Sequence, residues 1–155
     1  MKKYGYTFLA SIACLLLIIP GEVAGLAVML IIKLIFSGIF MFAENIFPIV
    51  PSGSWYQKLI LNVFAPGVGG WLAGFLVANC TYLIFNNKPN YKFVVIFVLS
   101  IILPFSFISS FEMFKEGIFT IYSWEWLINS IFVSLVLICW GFKIQDYNIV
   151  GDDKD

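Results

Sequence analysis

The segment YGYTFLASIACLLLIIPG (Tyr4–Gly21) runs directly into EVAGLAVMLIIKLIFSGIFMFAENIF (Glu22–Phe47). How these two pieces join decides the fold. The first is uncharged and long enough for a helix to cross roughly 30 Å of hydrocarbon, which takes about 20 apolar residues. The second is nearly as apolar, yet Glu22, Lys33 and Glu44 interrupt it every eleven residues. Eleven residues make close to three helical turns, so the three charges share one narrow stripe with Ser37. An interfacial helix with that stripe toward water fits this pattern. So does one long helix that passes Pro20 and protrudes outward. A full further crossing is the third arrangement, and it would place Lys88 and Lys92 on the outer side.

Outward from this segment the chain stays apolar. Of its 155 residues 61% are hydrophobic and only 12% charged, where a soluble domain is nearer half apolar with about a quarter charged. So small a globule cannot hide that surplus inside itself. Three more runs qualify as spans, giving crossings at about 4–21, 66–85, 93–110 and 126–142. The expected fold is all-α: a four-helix transmembrane bundle with an additional amphipathic outer helix at 22–47. Outer loops are expected at 48–65 and 111–125, a cytoplasmic turn at 86–92 and a polar cytoplasmic tail at 143–155.

Lysine sets the orientation. Lys2 and Lys3 precede the first span, Lys88 and Lys92 lie between the second and third, and Lys143 follows the fourth. An N-in, C-in chain in a bacterial inner membrane brings these ends together. Lys2 and Lys3 before Phe8–Ile19 imitate a signal peptide; the segment is read as a retained first span. All five glutamates then fall outside. Glu22, Lys33, Glu44, Glu112, Glu116 and Glu125 form the expected outer recognition surface. Lys88, Lys92, Asp146, Asp152 and Asp153 are the expected contacts for a soluble cytoplasmic partner.

Within the spans, Gly70, Gly74 and Ala78 place small residues on one helix face. That pattern lets backbones approach closely, inside one bundle or between copies in a homo-oligomer. Asn79, Thr81, Asn129, Ser130 and Ser134 are polar groups at membrane depth, expected to bond across helices or to line a hydrated path. Pro20 and Pro104 are candidate hinges.

Catalysis is not expected. The chain has no His, the commonest general acid/base and metal ligand, and no Arg. It carries no catalytic motif, and Cys14, Cys80 and Cys139 lie singly in apolar runs, which excludes a disulfide framework or zinc site. No catalytic residue, metal or cofactor is assigned. The absence of a basic block argues against direct nucleic-acid binding.

Length, four spans, an outer helical segment and the missing catalytic kit together resemble the membrane component of the Kiwa anti-phage system. The resemblance implies a tetramer in the inner membrane that senses phage attachment and restrains or activates a soluble DNA-binding partner. Two other classes share the outline. Four-span small multidrug exporters are similar in size and carry one essential Glu within the first span, whereas Glu22 stands at the end of this one; a homo-oligomeric channel belongs to the same class. Immunity proteins against pore-forming toxins are also often four-spanned.

Overall fold

The computed structural model describes residues 2–46, 54–86, 88–115 and 121–152. These residues are all-α, with four helices long and apolar enough to cross a membrane. They are α1 (Lys2–Ile46), a short α2 (Trp55–Leu59) leading through a π-helical turn (Ile60–Phe64) into α3 (Ala65–Phe85), then α4 (Tyr91–Lys115) and α5 (Ile121–Asp152). Helix α1 packs on α3, α3 on α5, α5 on α4, and α4 on α1. The shared core is made of small and β-branched side chains, among them Ala10, Cys14, Ala73, Val77, Val94, Val98, Val133 and Leu137.

The opening question is settled by α1, which is one helix of 45 residues and about 67 Å long. A separate interfacial helix at 22–47 is not what forms. Pro20 deprives the helix of one N–H, but packing holds it on both sides of the proline, with Ala10 and Cys14 buried before it. A Cβ placed on Gly21 would lie 2.6 Å from the Val77 side chain, and one on Gly25 would lie 2.5 Å from the Gly69 carbonyl oxygen. The stripe of charges also has partners inside the chain, described below, so nothing draws this segment away to the water interface.

Helix α3 presents two small-residue edges. Gly69 and Ala73 meet Gly25 and Gly21 of α1, while Gly70 and Gly74 meet Asn129, Val133 and Val136 of α5. Ala78 is buried in the core. The Gly70–Gly74–Ala78 face is therefore spent on contacts within this chain. Gly21 and Gly25 of α1 were not singled out from the sequence; the signal was a second small-xxx-small spacing there, matched by Gly69 and Ala73.

Several expected boundaries move. Helix already occupies 55–64 of the expected outer loop 48–65, and Pro66 sits within a continuous helical stretch. The preceding π-helical turn explains this, because its wider hydrogen-bond spacing relieves the clash between a proline ring and the carbonyl four residues before it. Helices α4 and α5 likewise reach into the expected loop 111–125 from both ends. The expected polar tail is helical through Asp152, since no proline interrupts it. Proline does not break α4 either, which runs through Pro104.

A turn was expected at 86–92, and α4 begins inside that range at Tyr91. Asn86 adopts a left-handed conformation (φ 44°) and donates its N–H to the Tyr82 carbonyl at 2.7 Å, ending α3. Asn90 caps α4 by accepting from the Phe93 N–H at 3.3 Å, and its own N–H donates to Thr7 Oγ1 at 3.1 Å. Replacing Asn86 by Ala should lower stability by about 1 kcal/mol, because alanine lacks the short polar side chain whose local hydrogen bonding lets asparagine tolerate the left-handed region. Asn86→Gly should be neutral or mildly stabilising. Thermal unfolding in detergent distinguishes the two; equal effects would mean the backbone at 86 is not constrained in this way.

Candidate functional site: a polar seam between α1 and α5

The three charges of α1 do not face water as a free stripe. Each reaches a different partner. Glu22 Oε2 accepts from Asn129 Nδ2. Lys33 Nζ forms an ion pair with Glu125 Oε1. Glu44 Oε1 accepts from Gln57 Nε2 at 3.1 Å. Eleven-residue spacing turns each successive residue about 20° further round the helix axis. The first two therefore meet α5, and the third meets α2.

Within the expected outer recognition surface, Glu125 is buried while Glu22, Lys33 and Glu44 are half-buried. Glu125 is only 3% exposed and Lys33 20%, so the pair presents almost nothing to a partner. Of the same expected surface, Glu112 lies on α4 with its side chain outside the described residues, and Glu116 lies outside them altogether. The burial has a physical cost. Two charges taken out of water are stable only when paired well, and an apolar pair of the same shape is often as stable. Lys33 suits the position because its long stem covers apolar surface while its ammonium reaches the carboxylate.

Other polar groups cluster along the same stretch of α5. Ser106 of α4 donates to Ser130 Oγ at 3.0 Å. Among the described residues, Glu125 Oε2, Trp126 Nε1 and Ser110 Oγ are buried without a hydrogen-bond partner. Fewer than two turns of α5 thus supply Glu125 and Asn129 to α1 and Ser130 to α4. Asn79 and Ser134 behave differently from the expectation of cross-helix bonds, whereas Thr81 also meets Cys14 of α1 through a side-chain hydrogen bond. Asn79 donates to the Phe75 carbonyl, Thr81 to that of Val77 and Ser134 to that of Ser130, each at 2.7 or 2.8 Å within its own helix. The carbonyl four residues back is always within reach of these short side chains.

At the other end of the helices the basic residues gather. Lys88 stands 5.2 Å from the Tyr6 ring centroid and Lys92 5.1 Å from that of Phe142. Tyr91 and Trp140 pack edge to face with centroids 4.9 Å apart. Asp146 and Asp152 lie on the last turns of α5 with side chains outside the described residues, and Asp153 lies outside them. No group of three or more metal-ligating side chains occurs among the described residues. The arrangement joins α1 to α5 through polar side-chain contacts. Gln57 is the participant that sequence reading missed, since a lone glutamine beside Lys58 carries no periodic signal.

Comparison with protein-family models, with curated proteins and with solved structures finds no match to this chain.

Proposed function

We propose that this chain is a non-enzymatic, multi-pass subunit of a bacterial inner membrane that registers an event at the membrane or its outer face and passes it to a soluble cytoplasmic partner. The observation that carries this reading is the seam. Lys33–Glu125 and Glu22–Asn129 tie the 45-residue α1 to α5, and α5 continues past Lys143 to Asp152. Helix α1 is about twice as long as the hydrocarbon is thick, so part of it stands beyond the bilayer when it crosses upright. A force or ligand acting on that part is transmitted to α5 through buried polar contacts. Such contacts suit a switch because they specify register and can be exchanged, whereas apolar packing would give equal or better stability.

Clustering of Lys3, Lys88, Lys92 and Lys143 toward one end supports N-in, C-in by the positive-inside rule. The resemblance in architecture to the Kiwa membrane component extends the proposal to a homo-tetramer in anti-phage defence whose partner, not this chain, binds DNA. The test is purification of the tagged protein in mild detergent from phage-infected and uninfected cells. A soluble protein should co-purify, in amounts that differ between the two. Its absence from both would sink the idea.

A second reading, a small channel or transporter, is favoured by Glu22 alone. Its side chain turns inward onto Asn129 near the midpoint of α1, closer to the intramembrane carboxylate of four-span exporters than its place in the sequence suggested. Proton flux into vesicles that is lost in Glu22→Gln supports it; no flux in the wild type removes it.

A further inference from the structure

On the flank of the molecule away from the seam, α3 and α5 leave a groove of about 640 Å³. Trp71, Phe75 and Phe132 line one end of it, and Tyr82, Trp140 and Lys143 the other. We propose that this groove binds an anionic phospholipid, with its phosphate at Lys143 and an acyl chain running along α3 toward Trp71.

Its dimensions suit one lipid of one leaflet. From Trp71 to Tyr82 is eleven residues of helix, or about 16 Å, close to half of the roughly 30 Å of hydrocarbon. Polarity grades in the required direction. Among the described residues Lys143 is the only charged one in the lining, and it carries the exposed end of the groove. It makes no ion pair with any described residue. Trp140 and Tyr82 follow at the depth where amphipathic rings sit under headgroups. Beyond them Phe75, Phe132 and Trp71 offer only apolar surface. The one polar side chain midway, Asn79, already donates to the Phe75 carbonyl at 2.7 Å and makes no demand on the ligand.

The walls are set in advance. Trp140 is held edge-on against both Tyr91 and Tyr82, and Trp71 stacks on Phe75 with centroids 5.7 Å apart. Basic recesses between membrane helices at headgroup depth are where acidic lipid headgroups bind. The adjoining recess around Leu59, Val63 and Phe64 shares Trp71 and Phe132 but has no charge, so it cannot choose a headgroup.

Tryptophan quenching tests this. The full chain with Trp55, Trp124 and Trp126 changed to Phe keeps its indoles only at Trp71 and Trp140. It is placed in nanodiscs of mixed phosphatidylglycerol and phosphatidylcholine, with bromine on the acyl chains of one or the other. Brominated phosphatidylglycerol should quench about fivefold more effectively per mole, the worth of one lysine near an anionic surface. Lys143→Gln should abolish that preference, while Lys58→Gln, on α2, should leave it intact. Equal quenching by both lipids overturns the proposal, as does a preference that survives Lys143→Gln. Protection of both indoles from either lipid, in a particle of dimeric mass, would show that a second copy fills the groove and would also overturn it.

Discussion

Lys33→Met should cost about 3 kcal/mol of stability, and adding Glu125→Leu to it should recover most of that loss. The direction follows from which charge is left behind. Removing the ammonium strands Glu125, which is 3% exposed and whose second oxygen has no partner among the described residues. Breaking a buried pair by deleting one member costs about 3–5 kcal/mol, because the remaining charge stays desolvated. The lower end applies because Lys33 is 20% exposed and solvent reaches that side. Removing both charges deletes the penalty together with the attraction, which is why the double variant recovers. Glu125→Gln alone should cost less, about 1 kcal/mol, since a lysine stem can carry its charge outward to water. Unfolding in detergent by added dodecyl sulfate orders the three variants. If the double variant is no more stable than Lys33→Met, the two residues are not coupled and the seam is not an ion-paired device. Partner co-purification adds a functional axis: a variant that is stable but no longer ion-paired should lose the difference between infected and uninfected cells.

What could be foreseen from residue order was the part that depends on local composition. The four apolar runs, the turn at Asn86–Asn90 and the grouping of lysines all follow from segments read one at a time. Residues 22–47 could not be decided that way. A stripe of Glu22, Lys33 and Glu44 looks the same on a helix lying at the water interface and on one whose charges are satisfied by another helix. The deciding partners, Asn129 and Glu125, lie 107 and 92 positions away in the chain. Helix ends were misplaced for a related reason. Residues 55–64 and 143–152 are polar or aromatic enough to read as loop, but they contain no proline and are continuous with the spans beside them. The Gly70–Gly74 spacing was visible, but which neighbour it served was not, because α3 has a second edge one residue around.

That second edge carries the other large effect. Gly69→Val should destabilise the protein by about 3 kcal/mol, the upper part of the range for overpacking. A Cβ on Gly69 would stand 2.6 Å from the Gly25 carbonyl oxygen and 3.3 Å from the Met29 Cβ. The first of these is backbone, so no rotamer change can relieve it; α1 and α3 must move apart along their crossing. Gly25→Val should behave alike, for its Cβ would meet the Gly69 carbonyl. The double variant should lose less than the sum, because helices already parted do not clash twice. Gly38→Val supplies the comparison: nothing lies within 4 Å of its Cβ position, and the intrinsic preference of a helix for valine over glycine is slight. Dodecyl sulfate unfolding of the four variants reads the result. Wild-type stability in Gly69→Val, with loss in Gly38→Val, would mean that α1 and α3 do not cross where their glycines meet. The consequence reaches beyond stability. Moving α1 off α3 also withdraws Glu22 from Asn129 and Lys33 from Glu125, since all these contacts are made by one rigid helix. A Gly69 variant that still folds in the membrane should therefore show the uncoupled behaviour of a seam variant, although it changes no charge.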